Sequence, residues 1–196
     1  MFVASGCGNE VDRAIDMLGG TQKEQEEAMA MIRVSGQNPK PKLLKALVNE
    51  NTDSTAKKNI AVLIGSSDWT SNDPSPVPPL VQALDGAEPG VQDAILDALD
   101  DIDNEESNEA LQKLIDHENE VVAGKAWKIL DQKAAEYESQ ADALSGAAAT
   151  PRKIELLEKA VEIHPRNQEL VKKLASFYKL SGQEDKALEL KQAGGR

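Results

Sequence analysis

Apolar positions recur every three to four residues along most of the chain, which predicts amphipathic helices rather than strands. From position 11 to about 131 the pattern predicts four helix hairpins in succession. Corresponding positions in the later hairpins lie 31 residues apart, so that Leu80 and Leu84 recur as Leu111 and Ile115. Because neither helix of a pair can bury its apolar face alone, the hairpins must stack. The pattern predicts an all-α protein, an α-solenoid of stacked antiparallel helix hairpins.

The second helices of the third and fourth hairpins open with a more specific motif. An acidic residue is followed three positions later by valine, at Glu88 and Val91 and again at Glu118 and Val121. This opening resembles that of HEAT-like repeats, although the arginine that follows the valine in that family is absent. The resemblance implies HEAT-like repeats, about four helix pairs, over residues 11–132.

Near Lys133 the spacing of small and large residues changes. The new spacing is seen in Leu174, Ala175, Tyr178, Gly182 and Ala187. It is similar to the packing pattern of tetratricopeptide repeats, in which small residues let paired helices approach closely. The resemblance implies one degenerate and one partial repeat of this kind over residues 133–192. Residues 193–196 are predicted to form a flexible tail.

The first nine residues, MFVASGCGN, resemble the lipobox that closes a bacterial lipoprotein signal peptide. In that family the cysteine, here Cys7, is acylated and becomes the first residue of the mature protein. The resemblance implies a lipid anchor and a location on the periplasmic side of a membrane. The alternative is an ordinary cysteine in a flexible N-terminus of a cytoplasmic protein, and residues 1–10 are treated as a separate segment in either case.

Composition limits the chemistry that the chain can perform. The single cysteine leaves no internal disulfide and no cysteine-based zinc site, and the two histidines lie far apart in the sequence. No glycine-rich phosphate loop follows a predicted strand. Aromatic residues are only 3% of the chain, so leucine, isoleucine, valine and alanine must fill the core. We therefore expect no catalytic residues, no metal and no cofactor.

Charge is distributed unevenly along the chain, whose formal net charge is −12. Up to Thr150 there are 12 basic and 27 acidic residues, whereas from Pro151 onward there are 10 basic and 7 acidic residues. The negative electrostatic field of the chain repels nucleic acid and anionic lipid headgroups, so neither is an expected partner. A basic protein partner is favoured instead.

The acidic residues are densest in the middle of the chain. From Asn59 to Gln112 there are 12 acidic residues and no lysine or arginine. Asp93, Asp97 and Asp101 are spaced four apart, which places them on one face of the predicted helix. The functional interpretation is a docking stripe for a basic segment. The alternative is a solvated face of an acidic, highly soluble protein.

Trp69 lies in the predicted loop 66–79, where helix packing does not require a large aromatic residue. It either covers a groove between repeats as a plug or serves as an exposed anchor for a partner. Trp127 occupies the repeat position of Leu96 and is expected in the core. His164 lies at a predicted helix end, where a partial positive charge would suit the helix dipole.

These patterns predict a non-enzymatic protein-interaction scaffold, because stacked helical repeats build an extended surface rather than an enclosed pocket. The favoured form is a membrane-tethered bacterial lipoprotein whose acidic surface binds a basic or extended protein partner. One alternative is a cytoplasmic adaptor or chaperone-like protein. Another is an accessory subunit of a lyase, because phycobilin lyases contain similar HEAT-like repeats. The sequence does not indicate an oligomeric state.

Overall fold

The computed structural model describes residues 7–35, 38–66 and 73–193. Over these ranges the chain forms eleven α-helices and one short 3-10 helix, and no strand. Consecutive helices pack against each other as stacked hairpins. The predicted fold class, an all-α solenoid of helix hairpins, is confirmed. The chain divides into two compact units, Met1–Lys113 and Leu114–Arg196.

Seven helices build the first unit, and the last of them ends at the division between the units. They are α1 (Cys7–Met17), α2 (Gln22–Val34), α3 (Lys40–Leu47), α4 (Ser54–Gly65), α5 (Val77–Leu84), α6 (Pro89–Ile102) and α7 (Glu105–Leu114). The second unit contains α8 (Glu120–Ala143), the 3-10 helix (Ala147–Ala149), α9 (Thr150–Ile163), α10 (Gln168–Leu180) and α11 (Glu184–Ala193).

Local sequence explains where several helices begin. The carboxylate of Asp53 accepts a 2.8 Å hydrogen bond from the amide of Thr55 and so caps α4. Asn119 and Asn167 cap α8 and α10 in the same way. A side-chain acceptor at this position satisfies an amide that has no partner within the helix. In α5 and α6, prolines occupy the first turn, where the missing amide proton costs nothing.

The most extensive packing in the first unit joins α4 to α6. Their facing sides are aliphatic, and the buried residues include Ile60, Leu63, Ile64, Ile95, Leu96 and Leu99. Close approach depends on Gly65, since a Cβ atom there would lie only 2.8 Å from the Cα atom of Ala98. Asn59 is buried as well, and its amide nitrogen donates a 2.8 Å hydrogen bond to the carbonyl oxygen of Leu18. This bond ties α4 to the end of α1.

The core of the second unit is shared by all four of its α-helices. It contains Ala134, Ala141, Ile154, Leu157, Ala160, Leu170, Leu174, Ala175, Tyr178 and Ala187. α8 is continuous for 24 residues, so the predicted change of repeat near Lys133 falls within a helix rather than at a loop. The predicted division of the sequence at residues 132 and 133 stays a prediction. No helix in the described ranges is both long and apolar enough to cross a lipid bilayer.

Candidate interaction surface

The three predicted stripe residues lie together on the outer face of α6. The opposite face of this helix is buried, with Val91 and Leu99 among its core residues. Asp93, Asp97 and Asp101 are all exposed. Residues four apart on a helix are neighbours, with Cβ atoms about 5–6 Å apart. The structure therefore presents three carboxylates in a row on a helix whose other side is fixed in the core.

Acidic side chains continue beyond α6. The next helix, α7, exposes Glu105, Glu106 and Glu109. The first basic residue after this run is Lys113, whose ammonium group lies 3.8 Å from the carboxylate of Glu109. An exposed pair of this kind contributes little to stability. We call the exposed carboxylates of α6 and α7 the acidic surface.

Asp73 belongs to the same acidic run of the sequence but not to this surface. It lies in the segment before α5, where its carboxylate pairs with the ammonium group of Lys40 on α3. A second carboxylate oxygen accepts a 2.9 Å hydrogen bond from the amide of Ser75. The Lys40 hydrogen bond, helped by that from Ser75, lowers the pKa of Asp73 to about 2. Periodicity could not reveal this pair, because its members are 33 residues apart.

The structure does not test the predicted roles of two site residues, Trp69 and Cys7. Trp69 lies outside the described residues, so its interpretation as a plug or as an anchor stays a prediction. Cys7 is the first residue of α1. Its lipidation, and with it the membrane anchor, likewise stays a prediction.

The prediction for Trp127 is wrong. Its side chain is 42% exposed, whereas Leu96 at the equivalent repeat position is 1% exposed. The Trp127 ring packs edge to face with the imidazole of His164, with 4.4 Å between ring centroids and 78° between ring planes. In this pair the histidine is buried and the indole is partly exposed.

His164 lies at the C-terminal end of α9, as predicted, but the partial positive charge expected there is wrong. The residue is fully buried, and burial lowers the pKa of its imidazole although the field of Asp131 acts in the opposite direction. Burial without a hydrogen-bond partner, together with the lowered pKa, favours the neutral ring. His164 therefore supplies no positive charge to the end of α9.

Carboxylates alone can also bind metal cations. Within residues 7–35, 38–66 and 73–193, no three side chains of histidine, cysteine, aspartate or glutamate are grouped so that they could hold a metal ion. The stripe on α6 is a row rather than a cluster, which suits a ligand with several separated positive charges.

Comparison with known families places the middle of the chain among repeat proteins. Residues 77–163, somewhat less than half of the sequence, match the family model described as HEAT repeats. The match runs from α5 to the end of α9, and so continues past Lys133. Together with the all-helical fold, it supports a HEAT-like repeat protein, and HEAT repeats are generally protein-interaction scaffolds. No curated protein and no solved structure matches the chain significantly.

Proposed function

We propose that this protein is a non-enzymatic scaffold whose acidic surface binds a basic or extended segment of a partner protein. The HEAT-like match over residues 77–163 supports the scaffold role. The observation that supports the choice of partner is the row of exposed carboxylates at Asp93, Asp97 and Asp101. A single exposed ion pair contributes little, but several positive charges that engage the row together contribute additively and also steer the encounter.

The surrounding sequence strengthens this choice of partner chemistry. Between Asn59 and Gln112 no lysine or arginine interrupts the 12 acidic residues. Like charges four apart on a helix cost a few tenths of a kcal/mol per pair.

Titration of the full chain with a fluorescently labelled lysine-rich peptide tests the proposal. Binding should weaken at least about tenfold between ~0.1 M and ~1 M salt, because the screening length falls from about 10 Å to about 3 Å. A glutamate-rich peptide of equal length is the matched control and should not bind. Absence of binding by the basic peptide, or affinity that does not depend on salt, would contradict the proposal.

We further propose that Cys7 is acylated and tethers the protein to the periplasmic face of a bacterial membrane. The proposal rests on the resemblance of the sequence around Cys7 to a lipobox. Metabolic labelling with a radioactive fatty acid in the native host should label the wild-type protein and not the Cys7→Ser variant. Recovery of unlabelled wild-type protein from the cytosol would instead favour a cytoplasmic adaptor.

We infer that residues 133–192 form tetratricopeptide-like repeats, and features of the local structure support this inference. The small residues Ala175 and Ala187 are buried where α10 and α11 meet. Gly182 adopts a φ of +76° in the turn between these helices, a conformation that favours glycine. These helices would offer a second surface for a further protein partner.

A further inference from the structure

The loop between α9 and α10 places a histidine in the interior without polar partners. His164 is fully buried, and neither of its ring nitrogens has a hydrogen-bond partner among the described residues. Its neighbour is the indole of Trp127, 4.4 Å away between ring centroids. A neutral imidazole tolerates such a site at moderate cost, but an imidazolium does not, since burial of an unpaired charge costs far more.

Around the buried ring, polar contacts hold the loop to the rest of its unit. The side-chain amide of Asn167 donates a 2.8 Å hydrogen bond to the carboxylate of Asp131 on α8. The guanidinium of Arg166 donates two hydrogen bonds of 2.6 Å to the carboxylate of Asp116, in the segment before α8. We call residues 164–167, with the groups that they contact, the clasp.

We propose that the clasp is a pH-sensitive device that is closed while His164 is neutral and is opened by protonation of this ring. Opening would move residues 164–167 away from α8 and uncover the part of the Trp127 ring that His164 now contacts. It would also give the charged imidazole access to water, which the closed clasp denies it.

The charged groups near the ring modulate this response but do not replace it. Asp131 on α8 favours the protonated ring, yet burial outweighs its effect and lowers the pKa of His164. Arg166 in the loop is already engaged by Asp116. The charged residues of α9 and α10 that are nearest to His164 in sequence, Glu162 and Glu169, are exposed.

The direction of the response follows from linkage between protonation and opening. The open form, with an ordinary histidine pKa near 6.5, binds a proton more readily than the closed form. The ratio of closed to open molecules is therefore constant above about pH 6.5. It falls by up to tenfold per pH unit below that value, until the pH reaches the lowered pKa of the closed form.

Fluorescence of Trp127 reports the state of the clasp directly. The chain has two tryptophans, so the Trp69→Phe variant leaves Trp127 as the only indole. Between pH 7.5 and pH 5 the emission maximum of Trp127 should shift to longer wavelength. The pH dependence of this shift should be that of a single protonation. A Trp69→Phe, His164→Leu variant should lose this transition, and a Trp69→Phe, His117→Gln variant should keep it.

Emission that does not change over this range, or a transition that survives in the His164→Leu variant, overturns the proposal. If that variant does not fold, proton–carbon NMR of the two imidazoles in the unsubstituted chain decides the question. His164, assigned by loss of the other signal in His117→Gln, should titrate below pH 6.5 together with the indole resonance of Trp127. The proposal is overturned if the His164 imidazole titrates at or above pH 6.5. It is also overturned if the indole resonance of Trp127 does not shift over the same pH range as the His164 signal.

Discussion

Gly65 sets how closely α4 and α6 approach. A Cβ atom at this position would lie 2.8 Å from the Cα atom of Ala98 and 3.0 Å from a carboxylate oxygen of Asp101. The Asp101 side chain could rotate away, but the backbone of Ala98 could move only with its helix. The absence of a Cβ atom at position 65 therefore permits this close contact between α4 and α6, next to Asp101 at the end of the acidic stripe.

Replacement of this glycine should destabilise the protein although alanine is the better helix former. We expect Gly65→Ala to lower the free energy of unfolding by about 1–3 kcal/mol, the usual cost of overpacking a core. The matched control is Gly124→Ala in α8, where no atom lies within 4 Å of the added Cβ. This control should raise the free energy by about 0.5–1 kcal/mol, as for glycine to alanine within a helix. Urea denaturation measures both, and equal effects of the two substitutions would refute this account of Gly65.

Single residues also mark where sequence reasoning succeeded and failed. The exposure of Asp93, Asp97 and Asp101 could be predicted, because helical periodicity alone determines which face of α6 they share. The exposure of Trp127 and the burial of His164 could not be predicted. They depend on a contact across 37 positions of the chain, and repeat alignment compares equivalent positions without knowing their neighbours.

At the scale of elements, the Lys40 and Asp73 pair fixes the segment before α5 to α3. The Lys40 side chain is largely buried and that of Asp73 is about one-third exposed. The hydrogen bonds to Asp73 lower its pKa to about 2 from an ordinary value near 3.8. Because the folded pKa is the lower one, the pair stabilises the folded form above pH 3.8 and loses this effect as the pH falls toward 2.

The Asp73→Asn variant should therefore unfold at a lower urea concentration than the wild type at pH 6. The difference between the two midpoints should shrink as the pH falls below 4, because the wild-type carboxylate then becomes protonated. Glu50→Gln, at an exposed position after α3, is the control and should show no such pH-dependent difference. If the difference in urea midpoint between Asp73→Asn and the wild type stays constant down to pH 3, the pKa of Asp73 is not lowered.

The long helix α8 shows why element boundaries are harder to predict than element type. The packing pattern changes near Lys133, and the sequence therefore suggested a join between two repeats. Helices commonly end where a glycine, a proline or a capping residue interrupts them. Between Lys125 and Ser145 there is no glycine or proline, and the polar residues there are ones that a helix tolerates on its surface. The change of pattern alters which neighbours the helix contacts while the helix itself continues.

At the scale of the whole molecule, the sequence predicted the fold class because every local signal agreed. Apolar spacing, a repeat interval of 31 residues and the shortage of aromatic residues all favoured stacked helices. The division into Met1–Lys113 and Leu114–Arg196 was not predicted, since it depends on the density of contacts between helices rather than on any sequence signal. Partner identity depends on surface chemistry, of which the sequence supplies the charge but not the ligand.

Binding of a lysine-rich peptide to three proteins tests the central claim, that the stripe on α6 is the contact site for a basic partner. The proteins are the wild type, the stripe variant and a control variant with the same change of charge on the second unit. The stripe variant carries Asp93→Asn, Asp97→Asn and Asp101→Asn. The control carries Glu136→Gln, Asp185→Asn and Glu189→Gln, all at exposed positions.

Fluorescence anisotropy at ~0.1 M salt gives the dissociation constant of each protein. Loss of three attractions of about 0.5 kcal/mol each should weaken binding by the stripe variant about tenfold, whereas the control should change by less than about threefold. Thermal unfolding of the stripe variant and the control verifies that both are folded under the conditions of the binding measurement. Wild-type affinity in the folded stripe variant, or an equal loss in both variants, would contradict the claim.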